Sequence, residues 1–228
     1  MKPGIAVLGA ALAMTGPAVA EGAAFPTPLA AAAPFSWTGF YVGLQAGYGW
    51  GGSRWVGPLG PLAVDQSGGA FGVEAGYNVQ FAPNWVGGLE ASAAWANIGG
   101  DTPCPLAGFA CRAKADFVGD VALRGGFAID RALLFVKGGA AFVNQNFGDA
   151  NPALPALNAT TGWPTAVGFV VGGGVEYALA DHVSAKIEYD YIGLGSRSYD
   201  LVDPGVYDDR ISVRQTYQIV KAGLNYKF

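Results

Sequence analysis

Tyr217-Gln-Ile-Val-Lys-Ala-Gly-Leu-Asn-Tyr-Lys-Phe228 is the stretch that decides the fold of this chain. It alternates with a period of two, which is typical of a β-strand with two different faces. One face carries Val220, Ala222, Leu224, Tyr226 and Phe228. The other face carries Ile219, Lys221, Gly223, Asn225 and Lys227. Such a strand needs a partner on each side, and a closed barrel supplies both partners.

Seven earlier segments alternate in the same way. The eight predicted strands cover residues 37–50, 70–81, 85–97, 115–129, 132–143, 165–179, 183–192 and 211–228. Each is long enough to cross a bilayer at a tilt, which takes about 9–11 residues. Tight turns are predicted at 82–84, 130–131 and 180–182, and long loops at 51–69, 98–114, 144–164 and 193–210. Strict alternation of short turns and long loops is typical of an all-β, eight-stranded antiparallel up-and-down transmembrane barrel, whereas a secreted β-sandwich does not require it.

Charged residues within the predicted strands share the face opposite the apolar one. Lys186, Glu188 and Asp190 show this in a single strand. Because Arg or Lys facing lipid at mid-bilayer costs about 2–4 kcal/mol, this face is predicted to line the lumen. We expect a mixed network of ion pairs and hydrogen bonds there. Its predicted members are Glu74, Glu90, Asp120, Arg124, Lys137, Glu176, Lys186, Glu188, Asp190 and Lys221, with Asp116 and Lys227 on the same face.

Aromatic residues cluster near both ends of the predicted strands. Two girdles at the headgroup levels explain this better than ordinary core aromatics do. The girdle on the short-turn side comprises Trp37, Phe40, Phe81, Trp85, Tyr226 and Phe228. The girdle on the loop side comprises Tyr48, Trp50, Trp95, Phe117, Phe142 and Tyr191.

The N-terminus predicts export. Residues 1–20 combine Lys2, a short apolar run and an A-x-A cleavage site at Ala18-Val19-Ala20, which together indicate a secretory signal peptide. The run is too short for a membrane helix. Residues 21–36 form an Ala/Pro-rich leader, and residues 37–228 form the predicted barrel domain. An even strand number places both termini on the short-turn side, which is periplasmic in an outer-membrane barrel.

Charge and cysteine content narrow the function further. The formal net charge is -4, which argues against nucleic acid as a partner. Export favours a loop disulfide between Cys104 and Cys111 over the alternative of two free thiols. Two cysteines with one distant histidine do not make a zinc site, and no cofactor is expected.

We expect no enzymatic activity. His182 is the only histidine and lies in a predicted periplasmic turn, whereas lipid-modifying barrel enzymes carry a His–Ser pair near the outer rim. Glu188 and Asp190 could act as paired acid and base groups, but Lys186 on the same face favours ion pairing.

Three segments carry a resemblance to a known family. The opening Phe35-Ser-Trp-Thr-Gly-Phe-Tyr-Val-Gly-Leu-Gln-Ala-Gly-Tyr-Gly-Trp50 resembles the first strand of small alphaproteobacterial outer-membrane surface proteins, the porin-like, opacity-related eight-stranded barrels. Val183-Ser-Ala-Lys-Ile-Glu-Tyr-Asp-Tyr191 and the terminal strand are similar to the same group. The resemblance covers residues 35–228. It implies an outer-membrane location and insertion by the barrel-assembly machinery, which reads a terminal aromatic strand; Tyr226 and Phe228 are the matching residues here. It implies no single shared activity.

Three function classes remain open at this point. The first is a structural, surface-exposed barrel that contacts outer-membrane lipids and lipopolysaccharide. The second is a small-solute channel. The third is a loop-mediated adhesin or ligand-binding protein for host or surface ligands, with exposed anchors at Trp55, Phe109 and Trp163. Eight strands leave an interior that side chains fill, which favours the first class.

Overall fold

The computed structural model describes residues 35–57, 60–105, 108–153, 158, 160–201 and 209–228. The predicted signal peptide and most of the leader lie outside these residues. Eight strands follow one another: β1 (Gly39–Gly57), β2 (Gly60–Ala82), β3 (Trp85–Pro103), β4 (Ala110–Ile129), β5 (Ala132–Ala150), β6 (Thr165–Ala178), β7 (Val183–Leu201) and β8 (Asp209–Lys227). Within the described ranges, no helix is long and apolar enough to cross a membrane.

The sheet closes on itself. Each strand pairs antiparallel with the next, and β8 returns to pair with β1, with Leu224 opposite Leu44. At the seam the backbone N–H of Phe228 donates to the carbonyl of Phe40 at 2.9 Å. The eight-stranded up-and-down barrel predicted from the alternation is therefore confirmed.

Short turns join the strands at one end, which we call the lower end. They lie at residues 83–84, 130–131 and 179–182. Asp130 has a φ of 51°, a left-handed conformation that Asp tolerates better than most residues. Both Gly39, where β1 begins, and Phe228 also lie at this end.

The strands at the opposite, upper end are much longer than the alternation predicted. β1 runs to Gly57 and β2 begins at Gly60, so most of the predicted loop 51–69 is paired strand. β3 and β4 likewise pair up to Pro103 opposite Ala110. The prediction of long loops was wrong here because an antiparallel hairpin satisfies its own backbone groups, even where the side chains are Gly or Pro. We call the paired parts of residues 51–69, 97–116, 144–150, 193–201 and 209–218 the upper extension.

Bulges adjust the register near the base of the extension. The pairing of β4 shifts between Ala115 and Phe117 against β5, and Asp116 has no directly opposite partner in either neighbouring strand. An extra residue in a strand reverses the direction in which the neighbouring side chains point. Ala115 is buried inside as a result, and Asp116, predicted to share the lumen face of Asp120, is half-buried at the bulge with its Oδ1 atom buried.

The outward face of the lower barrel is an apolar band. Its exposed residues include Leu44, Val73, Leu89, Leu123, Val136, Val171, Ile187 and Leu224. Exposed aromatic rings such as Phe81, Trp85 and Phe228 lie at the lower rim, and others such as Tyr48 and Trp95 at the upper edge of the band. The exposed apolar residues fit a barrel wall in contact with lipid acyl chains.

Candidate functional site

Ten of the twelve charged side chains predicted to face the lumen lie together in the lower barrel. They come from every strand except β1, and none is more than 6% exposed. We call this set the charged layer. Its members are Glu74, Glu90, Asp120, Arg124, Lys137, Glu176, Lys186, Glu188, Asp190 and Lys221.

Lys137 is the hub of the charged layer. Its Nζ lies 2.8 Å from Glu188 Oε1 and 3.1 Å from Asp120 Oδ1. The same Nζ lies 3.4 Å from carboxylate oxygens of both Glu90 and Asp190. These carboxylates belong to β3, β4 and β7, so one ammonium group ties several walls of the barrel together.

Two further lysines share Glu188 with Lys137. Lys186 Nζ lies 2.8 Å from Glu188 Oε2 and 2.7 Å from Glu74 Oε2. Lys221 Nζ lies 2.8 Å from Glu188 Oε1 and 2.6 Å from Asp190 Oδ2. Glu188 and Asp190, considered as an acid and base pair from sequence, are each held by lysines. Their geometry is that of an ion-pair network.

Arg124 anchors the other side of the layer. Its guanidinium forms an ion pair with Glu176 and lies 3.5 Å from Glu90. The guanidinium also stacks over the Phe135 ring at 3.8 Å, and Nη1 donates to Tyr41 Oη at 3.2 Å. Tyr41 Oη donates in turn to Glu90 at 2.7 Å. The planar guanidinium therefore uses both its donors and its face, which a lysine at this position would not do.

Neutral side chains add hydrogen bonds to two of the carboxylates, Asp120 and Glu176. Ser92 donates to Asp120, and Asn225 Nδ2 donates to Glu176 at 3.0 Å. Buried charges are tolerated when they are paired, and each charged side chain of the layer has an ion-pair partner, while Glu74 Oε1, Asp190 Oδ1 and Arg124 Nε carry no hydrogen bond. The layer therefore crosses the lumen as one connected network.

Apolar clusters lie on both sides of the charged layer. The lower cluster comprises Trp37, Val86, Ala128, Leu133, Phe135 and Ala178, with Phe35 against it. The middle cluster, just above the layer, comprises Ile98, Ala115, Val118, Ala122, Ala141, Val143, Ala166, Val170, Ile192, Leu194, Tyr217 and Ile219. The upper cluster, inside the extension, comprises Trp55, Val64, Cys111, Ala113, Phe147, Ile211 and Val213. Buried side chains thus fill the lumen at four levels.

The end of the leader folds into the lower mouth. Trp37 is 3% exposed, and its backbone N–H donates to Gln80 Oε1 at 3.0 Å. It was predicted to lie in a lipid-facing girdle, which was wrong because the chain turns inward before β1 begins. Lys227, expected to pair with lumen carboxylates, instead hydrogen-bonds the Ser36 carbonyl and lies 4.1 Å from the Phe35 ring centroid.

Comparison with known proteins identifies the family. Residues 18–228 match the family model of the outer membrane protein beta-barrel domain. The chain belongs to this family. It is 32% identical to the 31 kDa outer-membrane immunogenic protein of Brucella melitensis, over 98% of this chain and 97% of that protein. It is 28% identical to the 25 kDa outer-membrane immunogenic protein of Brucella abortus, over 96% of this chain and 92% of that protein.

A solved structure supports the same fold. The outer membrane protein OprG from Pseudomonas aeruginosa matches with a TM-score of 0.55 and 15% identity, over 84% of this chain and 96% of that one. The chain is an outer-membrane β-barrel protein, so the expected location is confirmed. Its lower end is periplasmic, and the upper extension, called the extracellular extension from here on, rises from the cell surface.

The extracellular extension of this outer-membrane barrel holds residues that sequence reasoning misplaced. Trp55, predicted to be an exposed anchor, is 5% exposed and packs edge-to-face on Phe147 with ring centroids 5.5 Å apart. It is inward because β1 continues through it as strand. Phe109 is half-buried and Trp163 is exposed. The disulfide joins Cys104 to Cys111 beside the upper cluster, with Cα atoms 5.0 Å apart.

A cluster of hydrogen-bonded polar side chains is buried inside the extension and was not predicted from the sequence. Trp55 Nε1 donates to Ser53 Oγ at 3.0 Å, and Gln215 Nε2 donates to Tyr217 Oη at 2.7 Å. Tyr217 Oη donates to Gln66 Oε1 at 3.2 Å. The alternation of Ser53 with Trp55 was the available signal, but the neighbouring glycines and prolines indicated a loop.

The periplasmic rim carries the residues predicted to form the assembly signal. Tyr226 and Phe228 both point outward and lie edge-to-face, with centroids 5.2 Å apart. Phe228 also lies 5.7 Å from the Phe40 ring across the seam, and His182 stacks on Tyr226. Among the residues that the structure describes, no group of three or more His, Cys, Asp or Glu side chains is arranged to hold a metal ion.

Proposed function

We propose that this protein is a closed, non-enzymatic barrel that braces the outer membrane and does not conduct solutes. The observation that carries the proposal is the filled lumen. Lys137 and Glu188 sit at its centre with contacts to several walls, and apolar clusters lie above and below them. A solute would have to separate buried ion pairs to pass, and leaving a buried charge unpaired costs about 3–5 kcal/mol.

Conductance of the purified full chain in planar bilayers tests this proposal. We expect no steady single-channel steps at concentrations where a conducting porin gives them. Uniform, reproducible steps from the wild-type protein would contradict the closed-barrel proposal. The heat-dependent shift in electrophoretic mobility is the control for folding. It ensures that an absence of conductance does not come from unfolded protein.

A loop-mediated adhesin or ligand-binding role is the weaker alternative. The Brucella relatives are named as immunogenic outer-membrane proteins, which is consistent with exposure at the cell surface. Of the three aromatic anchors considered from sequence, only Trp163 is exposed, at 49%. Paired strands take the place of most of the long loops 51–69 and 98–114 that such binding was expected to use.

We also propose that Tyr226 and Phe228 form the signal that the barrel-assembly machinery recognises. Both rings are outward-facing and flank the β1–β8 seam, where closure completes the barrel. Deleting Phe228 is expected to lower the amount of folded, heat-modifiable protein in outer membranes severalfold. The same deletion should leave refolding of purified protein in detergent nearly unchanged. An unchanged amount of folded protein in outer membranes would contradict the proposal.

A further inference from the structure

Two arginines face each other on the outside of the extracellular extension. Arg54 in β1 lies directly opposite Arg214 in β8, and both are exposed. Like charges directly opposite one another destabilise an antiparallel pair. Within the described ranges, neither arginine forms an ion pair. The pair therefore places two positive charges side by side without an ion-pair partner among the described residues.

The surroundings of this arginine pair are polar. Ser196 in β7 lies opposite Arg214 on one side, and Ser212 and Thr216 flank Arg214 along β8. Asp65 in β2 lies opposite Gly52, one step along the same face from Arg54, and its carboxylate lies over Gly52. Hydroxyl donors next to two guanidinium groups provide the donor set that phosphate oxygens accept.

The height of the pair points to the kind of ligand. Trp50 lies four residues below Arg54 on the same outward face, and Gln218 lies opposite Trp50 in β8. Tyr48 and Trp50 mark the upper edge of the apolar band, where aromatic rings meet lipid headgroups. Four residues of strand span about 13 Å, so long arginine side chains there reach the headgroup and sugar zone of the outer leaflet.

We propose that Arg54 and Arg214 bind the phosphorylated glycolipid head group of outer-leaflet lipopolysaccharide. Each guanidinium can hold a phosphate with two parallel hydrogen bonds, and a doubly charged ligand neutralises the repulsion between the two arginines. The inference gives the proposed bracing role a specific lipid contact. It rests on that role only in requiring the barrel to be embedded in the outer membrane.

Titration of the folded full chain with diphosphorylated lipid A, followed by native mass spectrometry, tests this site. The double variant Arg54→Gln/Arg214→Gln is expected to bind about tenfold more weakly than wild type. Monophosphorylated lipid A should bind wild type more weakly and reduce the difference between the two proteins. Arg54→Lys/Arg214→Lys keeps the charge but loses the planar donors, and is expected to lie between them.

Arg112→Gln is the matched control. Arg112 is also exposed on the extension, but it lies opposite Asp101, an acidic residue, instead of a second arginine. We expect its affinity for lipid A to stay within about twofold of wild type. Equal loss in this variant would mean that net charge, and not the pair, attracts the lipid.

Two further results would overturn the proposal. One is unchanged binding of diphosphorylated lipid A by the folded double variant. The other is full displacement of lipid A by an equal concentration of inorganic phosphate, which would identify a simple anion site. Neither result changes the conductance expected of the barrel. Conversely, open-channel steps would contradict the closed barrel and leave lipid binding intact, so the two failures are distinguishable.

Discussion

The lower barrel and the extracellular extension are built from the same strands with their faces inverted. In the lower barrel the outside is apolar, as at Val171 and Leu224, and the inside is charged, as at Lys137. In the extension the outside carries polar residues such as Arg54, and the inside is uncharged, with apolar residues such as Val64 beside the hydrogen-bonded group around Tyr217. The middle cluster marks the level at which the interior changes.

The inversion follows from the surrounding solvent. Next to lipid, an apolar side chain gains nothing by turning inward, so the lumen is free to hold polar groups that satisfy each other. Above the membrane, water surrounds the wall, and burial contributes about 25 cal/mol for each Å² of apolar surface. The same barrel therefore has a membrane-protein interior below and a soluble-protein core above.

The largest expected effect tests the charged interior. Lys137→Met removes the cation shared by Glu188, Asp120, Glu90 and Asp190 and leaves their charges underneutralised in a buried site. We expect a loss of about 3–5 kcal/mol in the free energy of unfolding. Denaturant titration of the protein in lipid vesicles measures it.

An exposed ion pair provides the control for that variant. Arg131 lies 3.0 Å from Asp181 at the periplasmic rim, and their side chains are 44% and 80% exposed. Arg131→Ala is expected to cost no more than about 1 kcal/mol. Similar losses in the two variants would mean that burial does not distinguish the charged layer from a surface pair.

Sequence alone predicted the lower barrel well, because the lipid outside the wall requires apolar residues on one face of each strand. Every strand in the membrane shows apolar residues on one face, and any charge, such as Glu176, had to lie on the other. The face of the strand on which each charged residue falls therefore predicted the members of the charged layer. It did not give their partners, since Lys137 reaches strands that are distant in the sequence.

Most of the extension was not predicted as strand. Its apolar residues face the interior instead of the outside, and glycines and prolines interrupt the alternation of apolar and polar residues. Its outward positions include Gly52 and Pro61, which indicate turns when taken residue by residue. The part of the extension in β8 from Ile211 onward was predicted as strand, and there Ile211 and Val213 alternate with polar residues and face in. The bulge at Asp116 had no sequence signal, because one inserted residue changes the facing without changing composition.

The smaller effect tests the outer faces with one substitution made in both regions. Val171 and Val56 both point outward and are 55% and 58% exposed, but Val171 lies in the apolar band and Val56 in the extension. Val171→Arg places a charge against lipid near the middle of the band, which costs about 2–4 kcal/mol. Val56→Arg places it in water, where surface substitutions usually stay within about 0.5 kcal/mol.

Unfolding in vesicles and the folded fraction in membranes measure both variants side by side. If Val56→Arg destabilised the protein as much as Val171→Arg, the wall around Val56 would be in contact with lipid. The rim would then lie higher than the aromatic residues Tyr48 and Trp50 indicate. A difference of the expected size places the boundary between these levels, because the side chain, its direction and its exposure are matched and only the surrounding solvent differs.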